Sequence, residues 1–108
     1  MSLREYLSLQ RDMMRLSNYI REQFLEASNE AFDNAILILF GSRIDDSKKG
    51  GDFDIAVVSN ISRDEFKRAK VKFFKYLLLK DLDLPIDLVS YDLASDLLKR
   101  EIDKGVRL

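Results

Sequence analysis

The chain lacks two residue types that carry much of protein chemistry. Of its 108 residues, none is cysteine and none is histidine. Without cysteine there are no disulfides, no thiol nucleophile and no thiolate metal site. Without histidine the usual general base is missing, and a bound metal must be held by oxygen. A metal site in this chain therefore suits a hard divalent ion, Mg²⁺ or Mn²⁺, better than Zn²⁺.

Two further absences bear on location and partners. The longest apolar run, residues 35–40, is far too short to cross a bilayer, and the N-terminus lacks the apolar core of a secretory signal. We therefore expect a cytoplasmic protein with no membrane association. The formal net charge of −1 lacks the basicity of a duplex-binding module, so binding to duplex DNA is not expected. The length predicts a single domain over 1–108.

The most informative stretch is an apolar run, a polar loop and a second apolar run. The first run ends at Phe40 and leads directly into Gly41 and Ser42. Because it shows no polar alternation, it predicts a strand buried on both faces. Glycine has no Cβ, so its backbone can approach a phosphate closely, and the serine hydroxyl adds a donor. This end of the strand is therefore a candidate phosphate cradle.

The second apolar run begins with two carboxylates at alternate positions. Side chains of a strand point alternately to opposite faces, so Asp52 and Asp54 share one face and lie about 6–7 Å apart along it. The other face takes Phe53, Ile55 and Val57. The two carboxylates repel each other unless cations lie between them and a polyanion. A phosphate cradle followed by paired carboxylates is typical of phosphoryl or nucleotidyl transfer.

This stretch resembles the motif of the DNA polymerase beta-like nucleotidyltransferases. The motif has an apolar residue, Gly-Ser, a spacer (here the nine residues 43–51) and then Asp-apolar-Asp-apolar. A third carboxylate, Asp87 in Pro-Ile-Asp-Leu-Val, looks like the family's third acid on a neighbouring strand. By itself, an acid in a strand is most often a solvent-facing edge residue. The tail, residues 102–108, looks like the closing helix and strand of the minimal nucleotidyltransferases (MNT), the small stand-alone branch.

The resemblance implies a metal-dependent transfer of a nucleoside monophosphate, AMP from ATP or the corresponding group of another nucleoside triphosphate, onto a hydroxyl with loss of pyrophosphate. It assigns catalysis and metal binding to three acids: Asp52, Asp54 and Asp87. It assigns nucleotide binding to the Gly-Ser turn and the loop cations: Gly41, Ser42, Arg43 and Lys49. Arginine matches phosphate oxygens best, whereas Lys48 and Lys49 are also typical of a solvated turn.

The resemblance also implies a partner protein. Members of the MNT branch are similar to antitoxins that pair with small helical HEPN-type proteins, and some adenylylate a tyrosine on that partner. After its closing helix this sequence has no room for an acceptor-binding domain, which favours an acceptor on a second protein. Two alternatives remain open: a fold that has kept its shape and lost its chemistry, and a binding subunit that neutralises a partner.

The remaining pattern predicts an α+β fold, a small mixed sheet with helices packed on one side. An apolar stripe predicts an N-terminal helix over 1–30, ending near Ser28 or Asn29, followed by a nucleotidyltransferase core over 34–108. Ser62 to Glu65 reads as a capping box that opens a helix to about Lys80. A third strand starts at Pro85, a helix over 93–104 turns four apolar residues inward, and 106–108 form a short edge strand. Those inward residues are Leu93, Leu97, Leu98 and Ile102.

Two helices carry an apolar strip beyond their core stripe. The strips are Leu3, Leu7 and Met14 on the first helix, and Val71, Phe74 and Leu78 on the second. They are either edge-of-core packing or a contact surface for a second chain, a partner or a homodimer. The lysines of the second helix are either a solvated face or a surface for an acidic partner or a strand of RNA.

Overall fold

The computed structural model describes residues 18–41 and 52–108. It contains, in chain order, α1 (Asn18–Ala31), β1 (Ile36–Phe40), β2 (Phe53–Val58), α2 (Arg63–Leu79), β3 (Ile86–Ser90), α3 (Asp96–Asp103) and β4 (Val106–Arg107). This order confirms the predicted α+β class. The strip of Leu3, Leu7 and Met14 lies outside the described residues.

The four strands form one mixed sheet in the order β3-β2-β1-β4. β1 pairs antiparallel with both β2 and β4, and β2 pairs parallel with β3. β1 and β2 therefore lie in the middle, where apolar side chains on both faces can be covered. The predicted edge strand over 106–108 is present as the two-residue β4.

One face of the sheet is covered by α1 and α2. Every residue of the stripe at positions 66, 69, 73 and 77 of α2 is buried, and Phe73 is fully enclosed. Phe24 of α1 contacts Phe53 edge-on with ring centroids 5.6 Å apart. Burying one such side chain contributes about 1.5–3 kcal/mol, so this layer holds most of the apolar stabilisation. The predicted first-helix stripe continues here through Phe24 and Ala27, and α1 extends to Ala31.

The opposite face is covered in part by α3. Ile102 packs with Phe40 and Ala56, whose side chains alternate away from the α1–α2 layer. The two long helices thus lie on one side as predicted, whereas the short closing helix packs on the other. Gly105, just past α3, sits so close to β1 that a Cβ there would run into Leu39 and Phe40. Glycine therefore lets the chain return against the sheet and form β4.

The start of α3 differs from the sequence prediction. The helix begins at Asp96, with Ser95 as its N-cap accepting from the amide of Leu98 at 3.2 Å. An N-cap serine has non-helical backbone angles, so residues 93–95 belong to the preceding turn. Leu97 is 68% exposed rather than inward, and Leu93 is exposed as well.

The start of α2 follows the predicted signal. Both hydrogen bonds of the capping box are present: the Glu65 amide donates to Ser62 Oγ at 3.1 Å, and the Ser62 amide donates to Glu65 Oε1 at 2.9 Å. The hydroxyl of Tyr76 donates to Glu26 Oε1 at 2.7 Å and joins α2 to α1.

Of the helices in the two described ranges, none has the length and apolar content needed to cross a lipid bilayer.

Candidate active site

Asp52, Asp54 and Asp87 lie near one another on the sheet face that α1 and α2 leave uncovered. Phe53 is buried under the α1–α2 layer, so its neighbours Asp52 and Asp54 take the other side, as alternation predicts. In the parallel pairing of β2 with β3, Asp54 stands directly opposite Asp87. Adjacent strands are about 4.8 Å apart, so these two carboxylates are immediate neighbours. Asp52 and Asp87 are exposed, and Asp54 is half-buried.

The charges of these acids act on Asp54. Burial raises the pKa of Asp54 above its ordinary value of 3.8, and the neighbouring charges of Asp87 and Asp52 raise it further. Within the described residues, no ion pair joins a lysine or arginine to any of the three carboxylates. The described side chains therefore present concentrated negative charge to solvent, which is the electrostatic condition for binding a cation.

Gly41 completes this end of the sheet. It follows Phe40, which pairs with Asp54 across β1 and β2, and its φ of 81° lies in the left-handed region that favours glycine. A Cβ at this position would collide with the carboxylate of Asp54. Glycine is thus required here by backbone conformation and by the close approach of Asp54, a second constraint beside the predicted approach to a phosphate.

The structure brings together four of the seven residues that the sequence proposes for the site: Gly41, Asp52, Asp54 and Asp87. The other three, Ser42, Arg43 and Lys49, lie outside the described residues, as does Lys48. The register that sets Asp54 against Asp87 is the feature that the sequence does not give. Alternation fixes the face of each side chain, whereas the pairing of two strands far apart in sequence depends on how the whole sheet assembles.

The donor set fits a hard divalent cation that is shared with a substrate. In residues 18–41 and 52–108, no group of three or more acidic side chains forms a ready-made metal cage. Mg²⁺ seldom needs one, because it usually keeps several waters and binds through one or two carboxylates together with substrate phosphates. Carboxylates on neighbouring strands beside an open backbone turn suit that mode. The residues that would hold the ion are Asp52, Asp54 and Asp87.

Comparison with known proteins agrees with this geometry. The family model described as nucleotidyltransferase domain matches residues 20–107, most of the chain. No protein of curated function matches the sequence.

Two solved structures share the fold. One is a mutant of the toxin–antitoxin MntA–HpeT with two aspartates, two positions apart, replaced by glutamate; it has a TM-score of 0.61 at 22% identity. The other is a toxin–antitoxin structure with AMP-PNP, with a TM-score of 0.63 at 24% identity. Each comparison covers 80% of this chain and 69% of the other.

The fold, the uncovered acids and the family match lead to the same classification. The match spans both halves of the motif, the third acid and the closing helix and strand. The chain belongs to the nucleotidyltransferase domain family, as its Gly-Ser and Asp-Phe-Asp motifs predict.

Proposed function

We propose that the chain transfers AMP from ATP to a hydroxyl group on a HEPN-type partner protein, with the core over 34–108 carrying the chemistry. The carrying observation is the convergence of Asp52, Asp54 and Asp87 beside Gly41 on an uncovered sheet face. A divalent cation bound by these acids, Mg²⁺ or Mn²⁺, would neutralise the triphosphate and the charge that develops at the α phosphate.

The chain's own residues would contribute binding and proton transfer. The backbone of Gly41 at the end of β1 would approach a phosphate, and Ser42 and Arg43, which follow it in sequence, would hold the β and γ phosphates. The acceptor oxygen attacks the α phosphorus, and the bond from that phosphorus to the bridging oxygen of the β phosphate breaks. Pyrophosphate leaves, and the hydroxyl proton passes to a carboxylate. Asp87 suits that role because it is exposed and adjoins Asp54.

Two observations from the related structures support this reaction. One shared-fold structure contains AMP-PNP, a nucleoside triphosphate analogue. In the other, the two replaced aspartates have the spacing of Asp52 and Asp54. Both structures are of toxin–antitoxin proteins, which supports a protein partner and an antitoxin-like role for this chain.

The test is a label-transfer experiment with the protein encoded by the neighbouring gene as acceptor. ATP labelled at the α phosphate should label that protein in the presence of Mg²⁺, whereas ATP labelled at the γ phosphate should not. This difference separates nucleotidyl transfer from phosphoryl transfer. Label from the γ position on the partner would contradict the proposed reaction.

The matched variant is Asp52→Asn, which keeps the size of the side chain and removes its charge. It should preserve binding to the partner and abolish transfer, because the site loses part of its cation affinity. Transfer that persists in Asp52→Asn would contradict the catalytic assignment. A wild-type chain that does not bind the neighbouring gene product would contradict the pairing.

A second candidate is a binding subunit that neutralises its partner without chemistry. The observation in its favour is the exposed apolar surface of α2, where Val71 and Leu78 are 68% and 56% exposed. This function predicts that a variant with Asp52, Asp54 and Asp87 all changed to Asn still neutralises the partner. Nucleotidyl transfer as the main function predicts that the same variant fails to neutralise it.

A further inference from the structure

The outer side of α2 carries an apolar ridge with positive charge along both sides. We define the α2 ridge as Val71, Phe74 and Leu78. A groove of about 770 Å³ runs along the ridge, and Lys70 and Lys75 also line it. The ridge is separate from the candidate active site, because α2 packs on the sheet face opposite Asp54 and Asp87.

We infer that the α2 ridge is the docking surface for an amphipathic helix of a second protein whose apolar stripe is flanked by acidic side chains. The inference rests on the proposed function only in that a protein partner exists. It assigns a place and a chemistry to that contact, on a surface that does not include the acids.

The spacing of the ridge is that of a helix-packing seam. Positions 71, 74 and 78 follow the a, d, a pattern of a heptad, in which side chains insert between those of a facing helix. In the same heptad Lys70 occupies position g and Lys75 position e. These two positions lie beside the seam and select the partner through the sign of their charges.

The charges that α2 itself carries beside the ridge are of one sign. Residues 67–80 include six lysines and arginines and no acid, although the whole chain has a net charge of −1. The rest of the chain, with twelve cations and nineteen acids, therefore has a net charge of −7. A partner helix with glutamate beside its apolar stripe complements this surface, and one with lysine is repelled.

The same charges disfavour a second copy of this chain. If two ridges packed together in parallel, Lys70 of one copy would face Lys75 of the other. In an antiparallel pair, each lysine would face its own equivalent. Both arrangements oppose like charges beside the contact, which acts against self-association.

The ridge is also unsuited to stacking nucleic acid bases. Its two exposed members, Val71 and Leu78, are aliphatic. Phe74 is half-buried, with its ring edge-on to Phe73 at a centroid distance of 5.6 Å and an angle of 85°. Single-strand binding surfaces stack bases on open aromatic rings, and this ridge presents none.

The test uses two synthetic helical peptides and the full chain. Both peptides carry leucine at positions a and d; one has glutamate at e and g, and the other has lysine. Each is labelled with a fluorophore, and binding is measured by anisotropy. The acidic peptide should bind at least roughly tenfold more tightly than the basic one, because central apolar contacts and flanking charges then act together.

The decisive variant reverses the ridge charges. Lys70→Glu combined with Lys75→Glu should exchange the preference, so that the basic peptide binds more tightly than the acidic one. The control is Arg100→Glu combined with Arg107→Glu, which makes the same change in net charge on α3 and β4 and should keep the wild-type preference. Both changed arginines are exposed.

A second pair of substitutions tests the apolar contact. Val71→Glu with Leu78→Glu should lose at least roughly tenfold in affinity for the acidic peptide. The fold should persist, because both side chains are exposed, and circular dichroism checks this. Peptide binding needs neither metal nor nucleotide, so Asp52→Asn should bind the acidic peptide as wild type does. Failure of docking is thus distinguishable from failure of nucleotidyl transfer.

Four results would overturn the inference. Two concern the peptides: neither peptide binds, or both bind with equal affinity. The third is an unchanged preference for the acidic peptide after Lys70→Glu with Lys75→Glu. The fourth is a homodimer of the wild-type chain that Val71→Glu with Leu78→Glu dissociates. Vesicles containing phosphatidylserine serve as the remaining probe. Vesicle binding that requires the ridge, without binding of the acidic peptide, would assign the surface to a membrane and would also overturn the inference.

Discussion

At the residue scale, the crowding of carboxylates in the candidate site lowers the stability of the metal-free fold. Asp54 is half-buried, adjoins Asp87 across two strands and follows Asp52 at the next position on the same face. Burial first, then Asp87 and then Asp52, raise the pKa of Asp54. Each of these effects disfavours its ionised form in the folded protein. The ionised form of Asp54 therefore lowers the stability of the fold, which is the cost that the proposed cation site would carry when no cation is bound.

Asp54→Asn should stabilise the metal-free protein at neutral pH. A raised pKa in the folded state means that the folded protein binds the proton more tightly than the unfolded chain, so the ionised side chain destabilises the fold above that pKa. The gain in the free energy of unfolding should be about 0.5 kcal/mol at pH 7, since water screens a half-exposed carboxylate. Urea unfolding in the presence of a chelator measures it.

The gain should shrink as the pH falls through the raised pKa of Asp54 towards its ordinary value of 3.8. Below that value the carboxyl is protonated in both the folded and the unfolded states, so the variant loses its advantage. Asp83→Asn is the control, because Asp83 is exposed and lies outside the cluster. A destabilised Asp54→Asn at pH 7 would contradict the crowding of charge at this site.

Gly41 is the second residue at which the site constrains the sequence. Gly41→Ala should lower the free energy of unfolding by about 1–2 kcal/mol, because alanine is strained at a positive φ. Its Cβ also collides with the Asp54 carboxylate. In the double variant Gly41→Ala with Asp54→Ala, part of this loss should be recovered, because truncation removes the colliding group. Additive losses in this cycle would contradict the close approach of the two residues.

At the element scale, the apolar patterns predict most of the fold. The helical stripe of Phe66 and Phe73 and the alternation around Phe53 are set by local periodicity, and the structure agrees with both. The start of α3 differs from the prediction because apolar residues lie on both sides of Ser95. The helical spacing in the sequence therefore continues through Ser95, although this residue is the N-cap. Its packing on the second face of the sheet differs because an eight-residue helix has too short a pattern to fix its side. The register of Asp54 against Asp87 depends on the assembled sheet.

The capping box of α2 gives a prediction at this scale. Ser62→Ala should lower the free energy of unfolding by about 1 kcal/mol at pH 7, because the Glu65 amide loses its acceptor. Ser95→Ala at the N-cap of α3 is the matched control, since it removes one such bond where the N3 residue is Leu98 rather than glutamate. Chemical denaturation of both variants measures the two losses in the free energy of unfolding.

The two caps should differ in their response to acid. Hydrogen bonds from the Ser62 backbone and then from its side chain lower the pKa of Glu65 from its ordinary value of 4.5. The stabilisation from these hydrogen bonds to the Glu65 carboxylate is therefore present above its ordinary pKa of 4.5. It is lost as the pH falls through the lowered pKa of Glu65. Glu65→Gln should cost stability at pH 7 and little at the acid end. An equal cost at both pH values would contradict the role of the carboxylate.

At the scale of the whole molecule, the sheet separates two surfaces of opposite charge. The acids of the candidate site lie on one face, and the α2 ridge lies on the outer side of the helix layer that covers the other face. The two surfaces face solvent on opposite sides of the molecule, with the sheet and the α1–α2 layer between them. We therefore expect charge changes at one surface to have little effect on ligand binding at the other.

This separation predicts that docking and nucleotide binding are independent. Val71→Glu with Leu78→Glu should leave Mg²⁺-dependent binding of AMP-PNP within about twofold of wild type, since its new charges lie on the far side of the α1–α2 layer from Asp54. Asp52→Asn should remove the Mg²⁺ dependence, because it weakens the cation site. Calorimetric titration of AMP-PNP into each variant, with Mg²⁺ and with a chelator, measures both effects.

If the ridge variant lost Mg²⁺-dependent binding while keeping its fold, the two surfaces would be coupled. If wild type bound AMP-PNP equally with and without Mg²⁺, the proposed role of the three carboxylates as cation ligands would be wrong.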